Sequence, residues 1–84
     1  MEIKESQEII ERFYGERDRE RGIWRNLVWL GEEVGELYKA VRENKGIEEE
    51  IADVFAWLLS LANVLGVDVE DAFRNKYLKP EDPP

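Results

Sequence analysis

Residues 47–65, IEEEIADVFAWLLSLANVL, constrain the fold more than any other stretch of this chain. Read as a helix at about 100° per residue, they carry two apolar faces. Ile47, Ile51, Val54, Trp57, Leu58, Leu61 and Leu65 cover one side. Ala52, Phe55, Ala56, Leu59 and Ala62 cover much of the other. A helix apolar nearly all round is buried nearly all round. A chain of 84 residues cannot surround it with its own remaining helices. The expected cover is a second subunit, packed as a helical bundle.

Helical periods run through most of the rest, and every proline lies at Pro80 or beyond. The expected fold class is all-α, with four helices in one domain over residues 1–79 and a flexible tail over 80–84. The first helix covers about 3–19, with Ile3, Ile10, Phe13 and Tyr14 at helical spacing. The charged run GERDRERG at 15–22 ends it as a solvated connection. The second runs from about Ile23 to Asn44 on a stripe of Ile23, Leu27, Leu30, Val34, Leu37, Tyr38 and Val41. Gly46 can take the left-handed conformation that stops it. Gly66 ends the third helix. Asp68 caps a short fourth, with Asp71 three residues on, and Pro80 closes it. Trp24 and Trp57 are expected in the core.

No cysteine is present, so a disulfide scaffold is excluded. No apolar run is long enough for a bilayer, and the N-terminus MEIKESQEII is too charged for a secretory signal. The expected location is the cytoplasm. A net charge of −8 argues against binding a nucleic-acid polymer, which needs a basic face. It does not exclude a nucleotide whose charge a metal shares.

The acids sit in unusual places. Glu50 lies about 40° from Val54 on the apolar stripe, and Asp53 about 100°. Glu33 lies about 100° from Val34, on the line of Asn26, Leu30 and Leu37, with Glu36 further round toward Trp29. Glu33 with Glu36 and Glu50 with Asp53 are each i, i+3 pairs, so each pair points one way. If the two long helices are antiparallel neighbours, four carboxylates converge at the edge of a core. Two unit charges ~4 Å apart repel by about 4 kcal/mol at an effective dielectric of 20. A divalent cation reverses that sign. With oxygen ligands only and no His or Cys, the choice falls on Mg²⁺ first and Mn²⁺ second. The plainer reading is a solvated acidic surface, with Glu50 snorkelling to water or meeting an arginine.

EEVGE at 32–36 followed by EIAD at 50–53 resembles the E-E-x-x-E … E-x-x-D signature of the MazG family of all-α nucleoside triphosphate pyrophosphohydrolases. LANVLGVDVEDAF at 61–73 is similar to the segment between the last two helices of small members. The resemblance implies Mg²⁺ on Glu33, Glu36, Glu50 and Asp53. It implies cleavage of nucleotides between the α and β phosphates by water, giving a monophosphate and pyrophosphate, in dimers or dimers of dimers. Glu32 either acts on that water or forms a surface salt bridge. FRNKYLK at 73–79 resembles the family's basic segment, and so implies Arg74, Asn75, Lys76 and Tyr77 as substrate contacts. For Lys79 the favoured role is only that of a cation in the last helical turn. Trp29 stacks on a base or packs on a neighbouring subunit. The alternative function is a non-catalytic oligomeric module that binds a nucleotide or a protein and keeps the acids for metal-dependent assembly.

Overall fold

The computed structural model describes residues 1–78; Lys79, the stop at Pro80 and the tail lie outside the described residues. Three helices follow in order, α1 (Ile3–Glu43), α2 (Ile47–Leu65) and α3 (Val69–Tyr77), and no strand occurs among the described residues. The all-α class holds, with three elements rather than four. The difference lies in GERDRERG: helix continues through it, and a single residue, Gly22, breaks α1 with φ 84° and ψ 170°. A straight helix of 41 residues would be about 60 Å long, whereas the molecule's longest extent is 40 Å. Gly22 therefore folds α1 into an N-terminal arm and a second arm. Asn26 staples the bend: its Nδ2 donates to the carbonyl of Asp18 at 2.8 Å and to that of Gly22 at 2.8 Å.

The other boundaries fall where capping chemistry puts them. Asn44 takes φ 53° and its amide bonds the carbonyls of Ala40 and Val41, while Gly46 takes φ 68°. This short turn sends α2 back along the second arm. Gly66 ends α2 at φ 71°. The carboxylate of Asp68 then accepts from the amide of Asp71 at 2.9 Å and starts α3, which turns 96° from the line of α2.

The packed lines differ from the expected stripes. On the second arm Asn26 and Ala40 are buried and Trp29, Leu30, Glu33, Val34 and Leu37 half-buried, whereas Ile23, Leu27, Tyr38 and Val41 of the expected stripe are exposed. On the N-terminal arm Gln7, Gly15 and Asp18 are buried, and Phe13 and Tyr14 are exposed. Trp24, expected in the core, is 77% exposed. On α2, Leu59 and Ala62 are buried inside the subunit, while Ile51, Phe55, Leu58 and Leu65 face outward. The N-terminal arm folds over the Leu59 side, so the uncovered face is rotated from the one expected. Among the described residues no single helix is long and apolar enough to cross a membrane.

Polar bonds tie the far end together. Gln7 Nε2 donates to Asn63 Oδ1 at 2.9 Å and to the carbonyl of Val67 at 2.7 Å, and Gln7 Oε1 accepts from the amide of Val69 at 2.9 Å. Lys4 pairs with Asp68 at 3.2 Å. The N-terminus of α1 thereby holds α3 against the C-terminal end of α2.

Candidate metal and nucleotide site

The antiparallel arrangement of the second arm and α2 sets Glu33 and Glu50 on facing helices. Glu33, Glu50 and Asp53 each offer a carboxylate oxygen, and the three lie within 4.8 Å of one another. Glu36 is exposed at the rim, lining a shallow groove with Lys39, Glu43 and Glu50. Burial pushes the Glu33 carboxyl above the usual carboxylate range; the charges of Asp53, Glu50 and, least, Glu36 push it the same way. Glu50 Oε2 is buried and meets no donor among the described residues. None of the three acids makes an ion pair there either.

These observations suit a hard divalent cation. The donors are all carboxylate oxygens, they lack a positive partner, and one is buried with nothing to bind. Mg²⁺ takes such hard oxygen ligands and is the ion these three carboxylates would hold. Glu32 is exposed and carries no hydrogen bond or ion pair among the described residues.

Next to Asp53 a cavity of about 290 Å³ opens between the N-terminal arm and α2, lined among others by Tyr14, Arg17, Asp18, Arg21, Trp57 and Ser60. Trp29 packs edge-on against Trp57, with ring centres 5.3 Å apart. The Arg21 guanidinium lies over Trp29 at 4.4 Å. Trp29 is thus engaged within its own subunit. Asp18, 1% exposed, pairs through Oδ1 with Arg21 at 3.4 Å.

The basic segment lies elsewhere. Leu65 lies twelve positions beyond Asp53 on α2, about 18 Å along the axis, and α3 starts beyond it. Arg74, Asn75, Lys76 and Tyr77 are exposed there. Arg74 approaches Glu70 at 3.9 Å, Lys76 lies over the Tyr77 ring at 5.3 Å, and Tyr77 packs on Phe73. One subunit does not bring these residues to the acids.

Sequence reasoning passed over Asp18 and Arg21 because a dense charged run reads as solvated; Asn26 was placed on the line of Leu30 and Leu37 but given no role. A signal was present. Gln7 and Asp18 are eleven residues apart, three turns to within about 20°, so they share a face that also holds Gly15 near its edge.

The sequence profile of the MazG nucleotide pyrophosphohydrolase domain matches residues 22–81. The chain belongs to the MazG family. The match contains both acidic motifs, and the convergence of Glu33, Glu50 and Asp53 lies wholly within this MazG domain. Family membership makes nucleotide pyrophosphohydrolysis the general activity to which the site is referred. No curated protein matches the chain. Arg17, Asp18 and Arg21 precede the matched MazG segment.

The charge balance of the acids has a measurable consequence. Glu33 binds its proton more tightly folded than unfolded, because its folded value is raised. The stability it contributes is full below the ordinary carboxylate range and is lost as pH rises through the raised value. In EDTA, melting temperature is expected to fall across that window, and Glu33→Gln to flatten the fall. A wild-type profile retained in Glu33→Gln would refute this.

Proposed function

We propose that this MazG protein is a Mg²⁺-dependent hydrolase that cleaves nucleoside or deoxynucleoside triphosphates between the α and β phosphates. The observation that carries the reading is the cluster of three carboxylate oxygens within 4.8 Å, unpaired with any cation among the described residues. Glu33, Glu50 and Asp53 hold the metal, and Glu36 joins them from the rim. Bound there, Mg²⁺ supplies the positive charge that lets a water approach the phosphate chain and steadies the departing pyrophosphate. Glu32, without a cation partner, is assigned to orient that water and take its proton. The attack forms a bond from water oxygen to the α phosphorus and breaks the bond to the bridging oxygen, releasing a monophosphate and pyrophosphate. A house-cleaning role in the cytoplasm fits this chemistry.

For Arg74, Asn75, Lys76 and Tyr77 to contact the phosphates, a second copy must supply them, because about 18 Å of α2 separates them from the acids within one chain. The exposed Ile51, Phe55, Leu58 and Leu65 on α2 support a homo-oligomer. Among the described residues, the hydrophobic ones buried in the lone subunit are Ala40, Leu59 and Ala62. A core that small leaves an 84-residue chain short of apolar burial. Analytical ultracentrifugation at micromolar concentration is expected to give a dimer or tetramer. A stable, folded monomer would rule the assembly out.

Phosphorus NMR of the products tests the chemistry. A triphosphate incubated with protein and Mg²⁺ is expected to give monophosphate and pyrophosphate, and EDTA to stop it. Orthophosphate as first product, or turnover indifferent to EDTA, would sink the proposal.

A further inference from the structure

We infer that the cavity beside Asp53 holds the base of the nucleotide, and that Asp18 selects cytosine or adenine over the bases that carry a carbonyl oxygen in place of their exocyclic amino group. The inference rests on the nucleotide reading above and deepens it by naming the base. The cavity shares Asp53 with the acid cluster, so a nucleotide with its phosphates at the acids has its base within reach of it. The volume, about 290 Å³, is at the small end for ligand pockets, which suits one base and part of its sugar.

The lining excludes a simple anion site. Arg17 and Arg21 are balanced by Asp18 and Asp53, so the formal charge of the walls cancels. Tyr14 and Trp57 add aromatic surface of the kind on which bases stack. The selective element is Asp18. It is 1% exposed and lines the cavity, and its Oδ2 is buried with no donor among the described residues. A buried acceptor left unmet is costly, and a ligand donor relieves it. Arg21, already held against Asp18 and stacked on Trp29, presents donors beside that acceptor. Acceptor next to donor matches an amino group next to a ring nitrogen, the edge shared by cytosine and adenine. Uracil and hypoxanthine put a carbonyl oxygen where the amino group stands, and would set it against the carboxylate. Arg17, Asp18 and Arg21 all lie before residue 22, where the family match begins. The selectivity is therefore a property of this chain's N-terminal arm.

The test is calorimetric binding of the α,β-methylene analogues of CTP, UTP, ATP and ITP in Mg²⁺, beside hydrolysis of the parent triphosphates. The amino member of the tighter-binding pair is expected to bind at least about tenfold more tightly than its oxo partner, since sites built to hydrogen-bond a group reject analogues lacking it. Asp18→Asn is expected to bring that ratio to within about threefold. Ala56→Leu fills the cavity without touching a charge, and is expected to weaken the amino analogue at least tenfold. No preference for the amino member in the wild type overturns the inference, as does an undiminished preference in folded Asp18→Asn. Should Asp18→Asn fail to fold, unchanged affinity in Ala56→Leu overturns it instead. A clear preference without pyrophosphate release keeps the base assignment and removes the hydrolase reading. Release without preference does the reverse.

Discussion

Glu50→Gln is expected to lower pyrophosphate release by at least about a hundredfold, the scale on which removing one charge-organising group acts in such sites, while making the metal-free protein more stable. The two effects share a cause. Glu50 sits in the seam between the second arm and α2 with Oε2 buried and unmet, and it faces Glu33, whose carboxyl its charge helps push up. Replacing the carboxylate with an amide of the same shape removes repulsion and leaves a donor that Glu33 can use. The same change deletes a ligand, so Mg²⁺ binds weakly or not at all. Asp53→Asn is expected to follow, and Glu36→Gln to reduce turnover by a similar order with the fold and oligomer intact. Calorimetric titration with Mg²⁺ and Mn²⁺, with melting curves in EDTA, reads both sides. Wild-type metal binding in both Glu50→Gln and Asp53→Asn would remove these residues from the site. Lys76→Ala is expected to act more mildly, on the half-saturating substrate concentration.

Gly22→Ala should cost about 1–3 kcal/mol of stability, because the backbone there lies in a region essentially confined to glycine. Its φ of 84° with ψ of 170° is closed to a residue with a Cβ, although nothing stands within 4 Å of where that Cβ would go. The loss is therefore backbone strain alone, uncomplicated by a clash. The contrast is Gly31→Ala, at a helical position with similar open space. There the substitution is expected to be neutral or to stabilise by up to about 1 kcal/mol, from helix propensity. Urea unfolding of the two variants reads the difference directly. Equal and small changes in both would mean that α1 does not bend sharply at residue 22. The bend also matters for the site. It lays Arg17, Asp18 and Arg21 beside α2, and a chain unable to turn there would lose the cavity along with the stability.

The acids show what spacing can reach. Glu33 was legible as a residue on the line of Asn26, Leu30 and Leu37, and Glu50 as a residue inside an apolar stripe. The structure places both lines in one seam. A short turn between two long helices leaves few ways to pair them, so the convergence of Glu33, Glu50 and Asp53 followed from local rules. Glu36 was harder, because an i+3 residue at the edge of a helix face can point to the cluster or to solvent. The structure puts it at the rim.

The caps and the antiparallel turn were likewise determined by the sequence alone. Asn44, Gly66 and Asp68 each answer a backbone group that the helix end leaves unpaired, Gly46 supplies the left-handed φ of the turn, and such chemistry acts within a few residues. Only the tertiary structure decided what covers α2. Its two apolar faces are both genuine by composition, and nothing local says which one the N-terminal arm takes. The arm's path hangs on Gly22 and on Asn26 holding two carbonyls eight and four residues away. The bond to the Asp18 carbonyl spans the bend and exists only with the chain turned at Gly22. The same reversal buries Asp18, a residue that its charged neighbours mark for solvent, since burial depends on what arrives opposite a side chain and not on the residues beside it.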